Sequence, residues 1–119
     1  MTDATLDKLG KLLNIPNLGG EDWDLMCADP DRVSAFCDIY EQGSLNAPEK
    51  TALMKLIVAS YDRYLWEADS QPDLENRLFG LLKQDFELHE YTIEYWSKTH
   101  IPGMLRAVSP LMLKVLKAE

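Results

Sequence analysis

The chain has 119 residues, with 12 basic against 20 acidic side chains and a net charge of −8. That length suits one domain spanning 1–119, and 46% apolar residues can fill its core without disulfides or a structural metal. The acidity works against nucleic-acid backbones and anionic lipid, and it favours a protein partner with a basic surface.

Leu6, Leu9, Leu12 and Leu13 recur at helical spacing and predict a first helix from about Thr5 to Leu13. Ile15-Pro16 should end it, because the residue before proline is pushed out of the α region. A loop over Asn17–Gly20 and a short helical turn over Glu21–Cys27 follow. Asp29-Pro30 then reads as a helix start, the aspartate capping exposed N–H groups and the proline suiting the first helical position. Val33, Phe36, Cys37 and Tyr40 share one face of a helix from Pro30 to Gln42, and Gly43 supplies a left-handed stop.

Pro48 opens the next helix, with Asn46 or Ala47 before it and Glu49 in the first turn, and it runs to Glu67. Leu53, Met54, Leu56, Ile57, Val58, Ala59, Tyr61, Tyr64 and Leu65 cover most of its circumference, as expected of the most buried helix. Ser70-Gln71-Pro72-Asp73 resembles a capping box. Leu74, Leu78, Leu81 and Leu82 form one stripe, and Leu88, Tyr91, Thr92, Tyr95 and Trp96 form another. Two helices breaking near Gln84-Asp85 are favoured over one bent helix, because the stripe shifts phase there and Asp85 can cap. Ile101-Pro102-Gly103 is a further break, followed by a short apolar turn with Met104, Leu105 and Val108. Ser109-Pro110 restarts a helix carrying Leu111, Leu113, Val115 and Leu116. No segment alternates as a strand does. The fold class is therefore all-α, a compact antiparallel helical bundle or a short HEAT-like stack of about five to seven helices.

The N-terminus lacks a basic-then-apolar leader, and the apolar stretch around Leu53–Ala59 is interrupted by Lys55, so neither secretion nor a membrane span is expected. Cys27 and Cys37 form no C-x-x-C and sit among apolar neighbours. This points to a reducing cytoplasm. No phosphate loop, zincin motif or nucleophile elbow is present. The two histidines, His89 and His100, read as surface or boundary residues. Asp85 and His89 share a face but lack the matching second motif of a metal site. No catalytic residue, metal or cofactor is predicted. An enzyme or ligand binder would instead use a bundle pocket lined by Tyr61, Tyr64 or Tyr95.

The charge is segregated. Between Glu21 and Glu41 stand seven acids and one base, Arg32; between Asp85 and Glu94 stand four acids and no base; from Lys98 to Lys117 stand four bases and no acid. Trp23, Tyr40, Tyr91, Tyr95 and Trp96 interleave with the acids. Carboxylates around aromatic anchors suit a binder of basic surfaces. The competing reading is an ordinary amphipathic pattern, with acids solvated and aromatics in the core. The basic C-terminal helix is expected to pack on the acidic remainder.

The stretches Phe36-Cys37-Asp38-Ile39-Tyr40-Glu41-Gln42-Gly43-Ser44-Leu45, Glu49–Asp62 and Glu87–Ser97 resemble small helical immunity proteins that accompany bacterial toxins. The resemblance covers roughly half the chain and implies a cytoplasmic protein that binds and neutralises a cognate toxin. No binding residue transfers from it. Charge and aromatic placement alone nominate Asp22, Trp23, Asp24, Asp62, Glu90, Glu94 and Trp96, the acids meeting a basic cleft and the tryptophans anchoring. The alternative is a regulatory or adaptor domain without enzymatic activity that pairs with itself as a homodimer.

Overall fold

The computed structural model describes residues 3–15, 23–98 and 107–118. Among them stand seven α-helices and one 3-10 turn, with no strand, so the chain is all-α. Backbone contacts divide it into two units, Met1–Tyr61 and Asp62–Glu119, with the boundary inside one helix. No described helix is long and apolar enough to cross a membrane.

In the first unit, α1 (Asp3–Leu13) buries Leu6, Leu9 and Leu13. It ends at Leu13, as its sequence suggested. Asn14 turns left-handed at φ 56°, its N–H reaching the Lys11 carbonyl at 3.4 Å, while Ile15 N–H reaches the Gly10 carbonyl at 2.9 Å. This paired closure satisfies two terminal carbonyls, and asparagine tolerates the left-handed region better than most residues. The expected turn over Glu21–Cys27 appears as α2 (Trp23–Met26).

Asp29 caps as its sequence suggested, its Oδ1 accepting the Asp31 N–H at 3.0 Å. The expected continuous helix from Pro30 nonetheless divides. Pro30–Arg32 is a 3-10 turn, Arg32 leaves the α region at φ −113° and ψ 10°, and α3 runs Val33–Glu41. The Arg32 guanidinium donates to the Leu13 carbonyl at the end of α1 and lies 4.8 Å over the Phe36 ring. The one base in the first acidic run is thus engaged inside its own unit. α3 buries Val33, Phe36, Cys37 and Tyr40. Gly43 takes φ 76°, a value that strains any L side chain even though open space surrounds it.

α4 (Ala47–Glu67) is capped by Asn46 and buries Leu53, Met54, Leu56, Ile57, Val58 and Tyr61 completely. Its Ser60 hydroxyl, also fully buried, accepts the Asp29 N–H at 3.0 Å and so fixes the start of the 3-10 turn.

The second unit opens with the last residues of α4. Gln71 Nε2 donates to the Tyr64 hydroxyl at 2.8 Å. The expected capping box at Ser70 does not form: α5 (Pro72–Gln84) starts at Gln71 with no side-chain cap, and the proline at its first position pre-sets the backbone. α5 buries Leu78, Leu81 and Leu82. Asp85, at φ −113° and ψ 40°, separates it from α6 (Phe86–Ser97). Two helices are therefore present. Asp85 makes the break through its backbone carbonyl, which accepts from Leu88 N–H at 3.0 Å and His89 N–H at 3.2 Å, and its carboxylate forms no cap.

α7 (Ser109–Ala118) packs on α5 and α6. Leu111, Met112 and Val115 make its buried face, whereas Leu113, expected in the stripe, is exposed. Two polar ties set its start. Ser109 Oγ donates to the Trp96 carbonyl at 2.6 Å, and Val108 N–H donates to Asp62 Oδ1 at 3.0 Å. The expected turn at Met104 and Leu105 lies outside the described residues.

Candidate functional site

α6 separates its residues by face. His89, Thr92, Ile93 and Trp96 recur at i, i+3, i+4 and i+7 and are buried. Glu87, Glu90, Tyr91 and Glu94 occupy a contiguous opposite arc and are exposed. Glu87 with Glu90, and Glu90 with Glu94, are helical neighbours of like charge. None of these three carboxylates is paired with a base among the described residues. Tyr91, 73% exposed, is the most exposed large hydrophobic residue described, and its ring stacks on Tyr95 at 6.4 Å and 18°. Tyr95 in turn meets the Trp96 ring edge-on at 5.7 Å. The outward tyrosine is thereby braced from the core side.

The residues nominated from sequence separate accordingly. Glu90 and Glu94 lie together on this ridge. Asp62 is half-buried, and its carboxylate holds the Val108 N–H at the start of α7. Asp22 lies outside the described residues, as does the Asp24 side chain.

The expectation that Trp23 and Trp96 anchor a partner is corrected. They are 6% and 5% exposed and belong to the core. Residues two apart on a helix point about 200° apart, so Glu94 outward requires Trp96 inward. Tyr91, placed by sequence in the apolar stripe, faces out for the same reason. His89, read as a boundary residue, is fully buried. Its spacing to Thr92, Ile93 and Trp96 was the available signal. His100 lies outside the described residues. Sequence reasoning also missed Trp66, which is 56% exposed near the end of α4. It stands five residues past buried Tyr61, about 140° around the helix.

At the α5–α6 elbow the chain encloses an open depression lined by Lys83, Gln84, Asp85, Phe86, Glu87, Leu88 and Glu90. Glu87 and Glu90 belong to both the depression and the ridge. Among the described residues no group of His, Cys, Asp and Glu is placed to hold a metal ion. Cys37 is fully buried, Cys27 is half-buried, and neither is in a disulfide. Comparison with protein-family models, curated proteins and solved structures returns no match.

Proposed function

We propose that this chain is a cytoplasmic protein-binding module that neutralises a bacterial toxin by covering a basic surface on it. The observation that carries the binding part is the ridge of Glu87, Glu90 and Glu94 beside the outward Tyr91. Like charges at these spacings disfavour the isolated helix, and no base among the described residues offsets them. Glu94 also stands in the last turn of α6, at the negative end of the helix dipole. A basic partner would relieve both costs on binding. The carboxylates would steer its approach, and the braced tyrosine would supply contact area at a small entropic cost.

The toxin-neutralising part rests on the resemblance of Phe36–Leu45, Glu49–Asp62 and Glu87–Ser97 to immunity proteins. The test couples capture to rescue. A basic protein captured by this chain is expressed alone and together with it, and growth is followed. Toxicity alone and protection on co-expression support the reading, and the double reversal Glu90→Lys with Glu94→Lys should remove the protection. A doubly reversed variant that still binds and protects would take α6 out of the interface. Self-association in sedimentation, with no protective pairing, would favour the homodimeric regulator instead.

A further inference from the structure

We infer that the depression at the α5–α6 elbow is a guanidinium subsite, and that the partner's basic surface enters it with an arginine side chain. This rests on the reading of α6 as a face for a basic partner, and it deepens that reading by assigning one residue type to one place. Lys83, Gln84, Asp85, Phe86, Glu87, Leu88 and Glu90 line the depression. Three acids against one base leave it negative. Phe86 and Leu88 are only half-buried, so apolar surface remains open there.

Phe86 and Glu90 are i, i+4 neighbours and Glu87 and Glu90 are i, i+3 neighbours, so one ring and two carboxylates converge on a single patch of helix. Glu87 and Glu90 make no ion pair with a described residue. That combination selects among cations. A guanidinium is planar, stacks on an aromatic face and offers a fork of N–H donors to carboxylates at its edge. An ammonium is a compact, strongly hydrated point charge that gains less from the ring. A flat acidic face would attract any cation, whereas a recess with an aromatic wall should prefer arginine. The occupant is therefore an arginine-bearing segment of a basic protein.

The subsite is tested without the natural partner. The full chain, labelled with nitrogen-15, is titrated at low salt with a blocked tri-arginine peptide and with a blocked tri-lysine peptide of equal charge, and amide shifts are followed. Tri-arginine should give saturating shifts centred on residues 83–90, with about three- to fivefold higher affinity than tri-lysine. Phe86→Leu should abolish the preference while retaining charge-driven binding. Glu87→Gln with Glu90→Gln, both at exposed positions, should weaken both peptides. Equal affinities, shifts spread over other acidic surfaces, or no saturation would overturn the subsite. Those outcomes leave the toxin reading intact, since capture and growth rescue decide it separately. Failure of the rescue with a saturating arginine preference would do the reverse.

Discussion

Asn46 and Glu49 cap one another. Asn46 Oδ1 accepts the Glu49 N–H at 2.9 Å, and Glu49 Oε1 accepts the Asn46 N–H at 2.9 Å. Lys8 closes the group from α1, its Nζ 2.9 Å from Glu49 Oε2. The Asn46 N–H and then Lys8 hold the Glu49 carboxyl below its ordinary pKa, against the opposing effect of burial. Native Glu49 therefore binds a proton less readily than unfolded Glu49. Its contribution to stability is complete above the ordinary glutamate value and is lost as pH falls through the lower native value. Urea unfolding across the acid range should show Glu49→Gln with a shallower loss of stability than the parent chain. Asn46→Ala should cost about 1 kcal/mol at neutral pH. Identical acid profiles for parent and Glu49→Gln would remove this carboxylate from the acid response.

The three tryptophans should behave as two classes. Acrylamide should quench Trp66 readily and leave Trp23 and Trp96 largely shielded, as their exposures of 56%, 6% and 5% require. Trp96→Ala or Trp23→Ala should cost about 3–5 kcal/mol in chemical denaturation. Trp66→Ala should stay within about 0.5 kcal/mol of the parent. Single-tryptophan variants separate the three signals.

Neutralising the ridge should stabilise the isolated protein and weaken it as a binder. Glu90→Gln removes two like-charge neighbours and should gain about 0.2–0.5 kcal/mol. Glu94→Gln removes a charge opposed to the helix dipole and should gain a similar amount. The gain should shrink in high salt, because screening already relieves the parent. Denaturation midpoints at two salt concentrations, set beside affinity for a basic partner, would show opposite signs for stability and binding. Loss of stability in either variant would contradict the repulsion.

Asp62 is predicted to act as a fastener for α7. Asp62→Ala leaves the Val108 N–H without its acceptor and should cost about 1–2 kcal/mol. Asp62→Asn keeps a side-chain carbonyl oxygen and should recover part of that loss. Measured melting curves that leave Asp62→Ala unchanged would reopen its place on a partner surface.

The helix starts and stops that rest on backbone chemistry were readable in advance. Asp29-Pro30 announced the 3-10 turn that leads into α3, Gly43 announced the end of α3, and the phase shift after Leu82 announced the break at Asp85. The end of α1 at Leu13 was also readable, but its closing device was not, because asparagine enters the left-handed region only when the surrounding fold makes it worthwhile. The Ser70 box failed because a matching spacing supplies the groups without obliging the chain to cap there. Site residues were harder still. An interleaved run of acids and aromatics lists both in one dimension, and the helix then turns them to opposite sides. Glu90 and Glu94 kept their expected exposure because they are four residues apart. Trp96 did not, being two from Glu94.

Cys37 sits fully buried on α3 while Cys27, ten residues earlier, is only half-covered. The chain thus carries a slow and a fast reporter of its own opening. A thiol reagent should modify Cys27 faster than Cys37. It can reach Cys37 only in those moments when α3 lifts from its packing. The ratio of the two labelling rates measures how often the first unit breathes.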